Sequence, residues 1–501
     1  MEPPAARRAR PREAQAAGDA EDRLSALGDD TLHAILARLP LRDAAATAAL
    51  SRRWPRVFAT LPRLLLRPAT FNRRGFPDDG GDGDYEGRCE DAGRWMDALA
   101  RVLRGRAAPL VTLDVEAAFL DQHGARFHRL LRDLCAGAGG RGLLELSLGN
   151  TRHAECPALP TPVYGCAALT SLDLYNWRLQ TPSKLTGLRA VRLLRLRNVA
   201  ATDAVLRRVI ARCGALERLE IHDVHTARNL VVCAPRLESL DVYSYRPLRV
   251  AVRKAPPLDT VRLSLSYGYP EDHWSLHDRI DVDGEQSLPE TTEEMLDFKK
   301  MAETEHKQTD EVGNMVSFLG GLGRTKNLRL HLSTEYSEVL SMAKVSIPKR
   351  LHEKNLLLGL KTLALTLDHN HEVLATFVSC LLNSSPNLKD LRITELRRSG
   401  NPVPLSAEFW DKQINAGCVL NLSTVTLYTD SLFEGQPCWG LCRVLVMKAK
   451  VLERMTIQYH SQVNPEHEAK IKAMQRGFPL WPRASLDVVL EMCPLDGCPC
   501  F

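Results

Sequence analysis

One recurring pattern dominates this chain of 501 residues, L-x-x-L-x-L, in which Val or Ile can replace Leu. The copies start at Leu110, Leu143, Leu169, Val191, Leu216, Leu237, Leu258, Leu328, Leu360, Leu388, Leu422 and Leu452. In the central part of the chain successive starts lie roughly 21 to 26 residues apart. One copy alone is typical of any buried strand, whereas about a dozen copies in order predict a chain built from one repeated structural unit.

Each copy predicts a short strand, because alternate residues of a strand point to opposite faces of a sheet. The apolar residues of neighbouring copies then stack on one another and form a continuous core. The segment 201–215 predicts a helix between two strands, and its apolar residues at helical spacing are Val205, Leu206, Val209 and Ile210. Other connections are too short for a helix, and we expect them to return through irregular loops, as at Pro235. The period is that of leucine-rich repeats, so the fold class is an α/β horseshoe with one curved parallel sheet.

The segment 22–66 differs from the repeats and predicts three short helices. In the first helix, four apolar residues at i, i+3, i+4 and i+7 form one face, namely Leu32, Ile35, Leu36 and Leu39. Asp29 and Asp30 supply the predicted N-cap of this helix, and Pro40 ends it. Ser51 is the predicted N-cap of the third helix. A unit of about 45 residues is near the lower limit for a self-sufficient core, so we expect its apolar faces to need another surface.

Three parts of this segment resemble the F-box, the module that docks onto a Skp-type adaptor in cullin-based ubiquitin ligases. They are the run Asp22–Ser25, the apolar stripe that ends at Pro40, and the run Leu50–Trp54, which is similar to the plant form of the motif. Gly28 departs from the family, which usually has proline after Leu27. The resemblance implies that the adaptor contacts Leu24, Leu27, Leu32, Ile35, Leu36, Leu39, Pro40, Leu50 and Trp54.

The C-terminal third adds a second resemblance. Residues 381–395 and 441–457 are similar to the tail repeats of the plant F-box, leucine-rich-repeat and FBD family. In the second segment the spacing predicts a helix followed by a strand. The combined resemblance implies an N-terminal three-helix F-box, then a leucine-rich-repeat horseshoe, then FBD-like C-terminal repeats.

We expect six regions along the chain. They are a disordered basic tail (1–20), the F-box (21–66), a linker with a first helix (67–108), leucine-rich repeats with a mobile insertion at 270–312 (109–400), an FBD-like region (401–478) and a Cys/Pro-rich tail (479–501). In the last region Cys493, Cys498 and Cys500 would need a fourth ligand to bind zinc, and the final residues fit a prenylation signal poorly. We therefore expect a frayed tail of reduced cysteines.

The residues that flank the inner leucines project from the open face of the predicted sheet. Arg and Tyr are frequent among binding hot spots, so the candidate substrate contacts are Tyr175, Arg195, Arg197, His222, Tyr243 and Arg262. The alternative is a solvated face with alternating charges. Neither sign of charge dominates in this set, so the sequence does not indicate the class of ligand.

Composition excludes several classes of function. The formal net charge is +5, and acidic residues are interleaved with basic ones, which argues against binding of nucleic acid. No apolar run approaches the roughly 18 residues of a membrane span, and the N-terminus lacks a signal-peptide core. The thirteen cysteines are irregularly spaced and predict reduced thiols in the nucleus or cytoplasm.

No phosphate-binding loop, metalloprotease motif or nucleophile motif occurs in the sequence. The hypothesis is a non-catalytic substrate receptor of an SCF-type ubiquitin ligase, with a Skp-type adaptor, a cullin and an unknown protein substrate as partners and with no cofactor or metal. Two alternatives stay open at this point. One is a repeat scaffold that acts outside a ligase, and the other is a receptor for a small ligand.

Overall fold

The computed structural model describes residues 27–39, 41–66, 85–117, 124–136, 142–150, 156–245, 248–253, 258–266, 310–333, 336, 340, 345–396, 405–415, 417, 419, 421–429, 439–460 and 465–495. The predicted basic tail, two predicted adaptor contacts (Leu24 and Pro40), residues 270–309 of the predicted insertion, and Cys498 and Cys500 lie outside these residues.

A parallel sheet of fourteen strands runs through the described part of the chain, in the order β1-β2-β3-β4-β5-β6-β8-β10-β11-β12-β13-β14-β15-β16. Its strands are β1 (Arg63–Leu66), β2 (Thr112–Ala117), β3 (Glu145–Asn150), β4 (Ser171–Tyr175), β5 (Leu193–Ala200), β6 (Arg218–His225), β8 (Ser239–Ser244), β10 (Thr260–Leu265), β11 (Asn327–Leu332), β12 (Thr362–Leu367), β13 (Asp390–Glu395), β14 (Thr424–Thr429), β15 (Arg454–His460) and β16 (Val489–Leu495). The strands β7 (Asn229–Cys233) and β9 (Arg249–Arg253) form a separate parallel pair.

Helices connect many of these strands. They are α1 (Asp29–Leu36), α2 (Leu41–Ala46), α3 (Trp54–Ala59), α4 (Tyr85–Arg104), α5 (Gly124–Ala136), α6 (Asp203–Arg212), α7 (Glu311–Gly320), α8 (Glu372–Ser384), α9 (Ala407–Gln413), α10 (Trp439–Lys448) and α11 (Pro465–Gly477). Short 3₁₀ turns lie at Thr47–Ala49, Thr161–Gly165, Glu353–Asn355 and Phe478–Leu480. The parallel sheet with its connecting helices confirms the predicted α/β horseshoe.

The apolar residues of the repeats form the core because neighbouring strands pair in the same register. Leu172 of β4 lies beside Leu194 of β5, and Leu194 lies beside Leu219 of β6. All three side chains are buried, whereas the residues directly before and after each of them in sequence are partly or fully exposed. The same alternation continues from strand to strand, so the buried residues form one continuous cluster along the sheet.

Two sequence predictions of local structure are confirmed on the side of the sheet that the helices cover. The segment 201–215 contains α6, and Thr202 caps it by accepting a hydrogen bond from the backbone N–H of Val205 at 3.4 Å. The segment 441–457 contains most of α10 and the first half of β15.

The expectation of irregular return loops is wrong at two connections. The segments after β6 and β8 contain β7 and β9, which pair in parallel from Asn229 with Arg249 to Cys233 with Arg253. Apolar residues lie at alternate positions of both strands, and Leu230 and Val232 of β7 and Val250 of β9 are buried. An extended segment with this alternation buries apolar side chains in fewer residues than a helix needs.

A left-handed residue recurs where consecutive strands end. Asn176, Asn198 and Asp223 occupy equivalent positions after or within β4, β5 and β6 and have φ values of 60°, 52° and 56°. Asn and Asp tolerate this conformation better than most residues, because their short polar side chains bond locally. The Asn176 side-chain amide donates to the carbonyl of Asn150 at 3.1 Å. These residues therefore turn the chain in the same way in successive repeats.

The first three helices are attached to the sheet by backbone hydrogen bonds. Residues 63–66, which the sequence analysis assigned to the F-box, form β1 and pair with β2. The N–H of Ala107 donates to the carbonyl of Ala59 at 2.9 Å, and the N–H of Val111 donates to the carbonyl of Pro62 at 2.9 Å. Because these bonds link the end of α3 to the segment before β2, the helices are fixed relative to the first repeats.

Two predicted boundaries differ from the structure. The expected frayed tail contains a 3₁₀ turn at Phe478–Leu480 and the last strand, β16, which pairs along its whole length with β15. Cys493 lies in this strand and is half-buried. The predicted insertion 270–312 overlaps α7, whose first turn is capped by Asp310 through a hydrogen bond from the N–H of Gly313 at 2.9 Å.

The prediction that all cysteines are reduced is wrong for one pair. A disulfide joins Cys135, near the end of α5, to Cys166, which follows the 3₁₀ turn at Thr161–Gly165, with Cα atoms 4.9 Å apart. The repeat packs the end of α5 against that turn, which brings together two thiols that lie 31 residues apart in sequence. Six other described cysteines are free thiols, namely Cys156, Cys213, Cys233, Cys380, Cys442 and Cys493.

Replacing both Cys135 and Cys166 with serine should lower the free energy of unfolding by about 3 kcal/mol, because the cross-link closes a loop of 31 residues in the unfolded chain. Urea denaturation of the oxidised protein measures this change. Cys233→Ser removes a half-buried free thiol and is the matched control, with an expected effect below about 1 kcal/mol. Equal midpoints for the double variant and the unmodified protein would contradict a stabilising cross-link.

Candidate functional site

The three N-terminal helices enclose a small apolar core of their own, and we call residues 27–61 the helical module. Its buried side chains are Leu32, Leu36, Ala44, Trp54, Val57 and Leu61. His33 ties α1 to α3, since its Nε2 lies 3.1 Å from the carbonyl oxygen of Val57 and 3.0 Å from the hydroxyl of Thr60. The module therefore satisfies much of its apolar surface internally, although its sequence predicted that it needs another surface.

This core separates the predicted adaptor contacts into two groups. Leu32, Leu36 and Trp54 are at most 3% exposed, so they hold the helices together and their side chains do not reach the surface. Their predicted contact with an adaptor stays a prediction, and in this chain alone they are already buried within the module. Ile35 is 36% exposed and Leu39 is 39% exposed.

The remaining predicted contacts are also unequal. Leu50 is the most exposed apolar residue of the module, at 61%, and Leu27 is half-buried against the module's core. The apolar stripe in the sequence thus contains the buried residues Leu32 and Leu36 and the exposed residues Ile35 and Leu39, of which Leu39 lies after the end of α1. Ile35, Leu39 and Leu50 are the apolar side chains that a partner can reach.

The N-termini of α1 and α3 differ from the prediction. Gly28 is the N-cap of α1, and no side chain caps it. Asp29 and Asp30 lie in the first turn, where negative charge favours the positive end of the helix dipole. The Asp29 carboxylate accepts hydrogen bonds from the Arg53 guanidinium, with an Nε to Oδ1 distance of 3.2 Å. Ser51 accepts from the N–H of Arg53, and α3 begins only at Trp54.

The open face of the sheet is the second candidate surface, and its first part is dense in ion pairs. The Arg195 Nε donates to Glu220 at 2.6 Å, and the Arg197 Nη2 donates to both carboxylate oxygens of Asp173 at 3.0 and 3.1 Å. The hydrogen bond to Glu220 raises the pKa of Arg195 above its ordinary value. Here the arginines already have carboxylate partners on the neighbouring strand.

Aromatic residues lie beside these charges. The Arg197 guanidinium carbon is 5.8 Å from the centre of the Tyr175 ring, a cation–π contact. His222 and Tyr243 meet edge to face with ring centres 6.2 Å apart. The six residues predicted as substrate contacts therefore lie together on five consecutive strands, β4, β5, β6, β8 and β10.

Beyond β8 the charge on the open face changes. Arg262 of β10 lies 3.6 Å from the Asp241 carboxylate of β8. The next strand carries Arg329 beside Arg262, then β12 carries Ala364, and β13 carries Arg392. We call Arg262, Arg329 and Arg392 the arginine row. Of these three residues, only Arg262 was among the predicted substrate contacts. Arg329 and Arg392 also flank the inner apolar residues of their copies, so the sequence pattern places them on the same face.

Asp241 is held in an unfavourable environment for a carboxylate. Burial raises its pKa above the ordinary value, and the nearby Glu220 acts in the same direction. His222 and Arg262 oppose this rise without overcoming it, because the Arg262 side chain is 52% exposed and its guanidinium charge remains well solvated.

Two kinds of site are missing from the described residues. None of the helices described is long and apolar enough to cross a membrane. Within the same residues, no three His, Cys, Asp or Glu side chains are grouped so that they could hold a metal ion.

Comparison with known proteins finds similarity to one group of plant proteins. The family model of the leucine-rich repeats of FBD-associated F-box protein At5g56370 matches residues 129–286, which contain strands β3 to β10. Several Arabidopsis thaliana proteins named as F-box proteins with leucine-rich repeats match longer parts of the chain. The chain is therefore similar to plant F-box, leucine-rich-repeat and FBD proteins.

The relatives of this chain are distant. The chain is 26% identical to F-box/LRR-repeat protein At3g26922 over 231 residues, which are 44% of this chain and 67% of the relative. It is 29% identical to putative F-box/FBD/LRR-repeat protein At5g52460 over 201 residues, 40% of this chain and 46% of the relative. With F-box/FBD/LRR-repeat protein At5g56420 it shares 25% identity over 320 residues, 62% of this chain and 66% of the relative. The chain thus spans about half to two thirds of the length of these relatives.

Asp241→Asn should make the protein more stable at neutral pH. A carboxyl group whose pKa is higher in the folded state than in the unfolded state loses stabilising protonation as the pH rises through that window. The difference in urea midpoint, variant minus unmodified protein, should therefore be larger at pH 7 than at pH 4. Glu217→Gln, at an exposed ion pair with Arg192, is the control with little expected effect. A lower midpoint for Asp241→Asn at pH 7 would show that the pair with Arg262 outweighs burial.

Proposed function

We propose that this protein is the substrate-recognition subunit of an SCF-type ubiquitin ligase. Its helical module acts as an F-box that docks onto a Skp-type adaptor, and through it onto a cullin, while the open face of the repeats binds a protein substrate. The protein itself performs no bond chemistry and uses no cofactor. Holding a substrate lysine near the conjugating enzyme raises its effective concentration, which is how such a subunit accelerates ubiquitin transfer. This function places the protein in the nucleus or the cytoplasm.

The observation that carries the proposal is the exposed apolar group on an otherwise satisfied F-box. Ile35, Leu39 and Leu50 are exposed to water although the module has a closed core. Complete burial of such a side chain contributes roughly 1.5 to 3 kcal/mol, so a partner that covers these three side chains gains affinity from each of them.

The link between the F-box and the repeats supports the same function. Strand β1 belongs to the sheet and follows α3 within a few residues, and the Arg106 guanidinium donates to the carbonyl of Leu61. A substrate on the open face is therefore held at a defined position relative to the adaptor. Proximity catalysis needs such a fixed geometry, because a freely moving link lowers the effective concentration of the substrate lysine.

Ile35→Asp combined with Leu50→Asp should abolish capture of a Skp-type adaptor. The charged side chains remain solvated in the free protein, but docking would bury them without a partner. Co-expression with a plant Skp-type adaptor, followed by affinity capture of the tagged F-box protein, should show at least a tenfold loss of adaptor. Thermal unfolding should occur within a few degrees of the unmodified protein.

Two further variants make this test specific. Leu144→Asp combined with Leu358→Asp changes two exposed leucines of the repeats, which are 39% and 53% exposed, and should leave adaptor capture unchanged. Leu36→Asp places a charge in the F-box core and should unfold the module. Full adaptor capture by the Ile35 and Leu50 double variant would exclude docking through this surface and leave a repeat scaffold outside the ligase as the function.

A further inference from the structure

The arginine row brings three guanidinium groups close together across four strands. Register places Arg262 beside Arg329, Arg329 beside Ala364, and Ala364 beside Arg392. Neighbouring strands lie about 4.8 Å apart, so the three Cα positions span about 14 Å across the sheet. The chain reaches this arrangement although 67 residues separate the first two arginines in sequence.

The charge of the row is only partly balanced. At its ends, Asp241 lies 3.6 Å from Arg262, and Asp390 lies 3.0 Å from Arg392. In the part of the chain that the structure describes, no carboxylate forms an ion pair with Arg329. The other open-face positions of β10, β11 and β12 hold Thr260, Ser264, Asn327, His331, Thr362 and Thr366. Among the described residues of these three strands, the middle of the row therefore carries positive charge without a matching acid on the same face.

The pKa of Arg329 reflects this excess of positive charge. The side chain is half-buried, and burial lowers the pKa of its guanidinium. The positive charges of Arg262 and Arg392 lower that pKa further, and Asp241 offsets only part of the effect. Strands β4 to β6 differ, because both Arg195 and Arg197 there contact a carboxylate, whereas in the row Arg262 and Arg392 do so and Arg329 forms no ion pair among the described residues. Like charges held near each other favour binding of an anion, which relieves their repulsion.

We propose that the arginine row binds a segment of the protein substrate that is rich in Asp and Glu. This inference rests on the proposed function, because it names the chemistry of the substrate that the open face recognises. An extended peptide rises about 3.3 Å per residue and presents every second side chain to the same face. Carboxylates at positions i and i+4 are then about 13 Å apart, close to the span of about 14 Å across the row.

Ala364 separates Arg329 from Arg392 with the smallest side chain apart from glycine, and it is buried, with 7% exposure. The ligand would therefore contact the longer and partly exposed side chains of Arg329 and Arg392, not Ala364 itself. Arginine binds carboxylates through two parallel hydrogen bonds, which gives geometric specificity as well as affinity.

The test uses the full-length protein in complex with its adaptor. The probe is a fluorescein-labelled peptide of alternating Glu and Ser, and its binding is followed by fluorescence anisotropy at about 0.15 M salt. The same peptide with Gln in place of Glu should bind at least tenfold more weakly. Arg329→Gln combined with Arg392→Gln should weaken binding of the Glu peptide at least tenfold.

The control variant changes the same number of charges on the other side of the molecule. Arg207 of α6 and Arg443 of α10 are exposed, and their joint replacement by glutamine should change binding less than twofold. Ala364→Glu places an acid between Arg329 and Arg392 within the protein. It should weaken peptide binding at least tenfold, because the new carboxylate competes with the ligand, and its thermal midpoint is measured alongside because Ala364 is buried.

Three outcomes would overturn the proposal. Equal binding of the Glu and Gln peptides shows that charge is not recognised, and equal losses in the Arg329/Arg392 and Arg207/Arg443 variants show that only net charge matters. Competition by an RNA duplex at lower concentration than the Glu peptide assigns the row to nucleic acid instead. Adaptor capture is measured on the same samples and depends on Ile35 and Leu50, so loss of the proposed function is distinguished from loss of the acidic ligand.

Discussion

Stacking of buried leucines between neighbouring strands is the interaction on which the rest of the structure depends. Most strands of the large sheet bury their second and fourth residues, as Leu219 and Ile221 do in β6, against the same positions of the strands on either side. One repeat alone has no partner for these side chains, so the repeats are stable only as an array. A slip of one residue would expose every leucine of a strand, and this cost holds the register along the sheet.

The common register also determines the chemistry of the open face. Because equivalent positions lie side by side, residues far apart in sequence become neighbours in rows that cross the strands. The same rule produces two different surfaces. In β4 to β6, acidic and basic residues alternate between strands, and Arg195 and Arg197 are neutralised by Glu220 and Asp173. In β10 to β13, three of the four strands carry an arginine at this position, Arg262 and Arg392 have acidic neighbours, and burial and then the positive charges of both lower the pKa of Arg329, which lies between them.

In the helical module, the apolar stripe of the sequence does not indicate which of its side chains are buried and which are exposed. Spacing of apolar residues predicted α1 and its buried face, and the structure has both. The pattern did not distinguish Leu32 and Leu36, which pack on Trp54 and Val57, from Ile35 and Leu39, which remain exposed. That distinction depends on the angle at which α3 crosses α1, and this angle follows from contacts such as those of His33 with α3. Sequence spacing carries no information about such an angle.

Sequence alone determined the repeat, its strands, the helix α6, the helical module and the absence of known catalytic motifs, because all of these are local patterns with a short period. Several features were decided only by the tertiary structure. The disulfide between Cys135 and Cys166 needs α5 to pack on the following turn, and the pair β7 and β9 needs two return segments side by side. The arginine row needs β10 and β11 to be adjacent despite the long segment between them. Each of these depends on which distant segments meet, and in a repeat protein that is set by the order and register of the stacked strands.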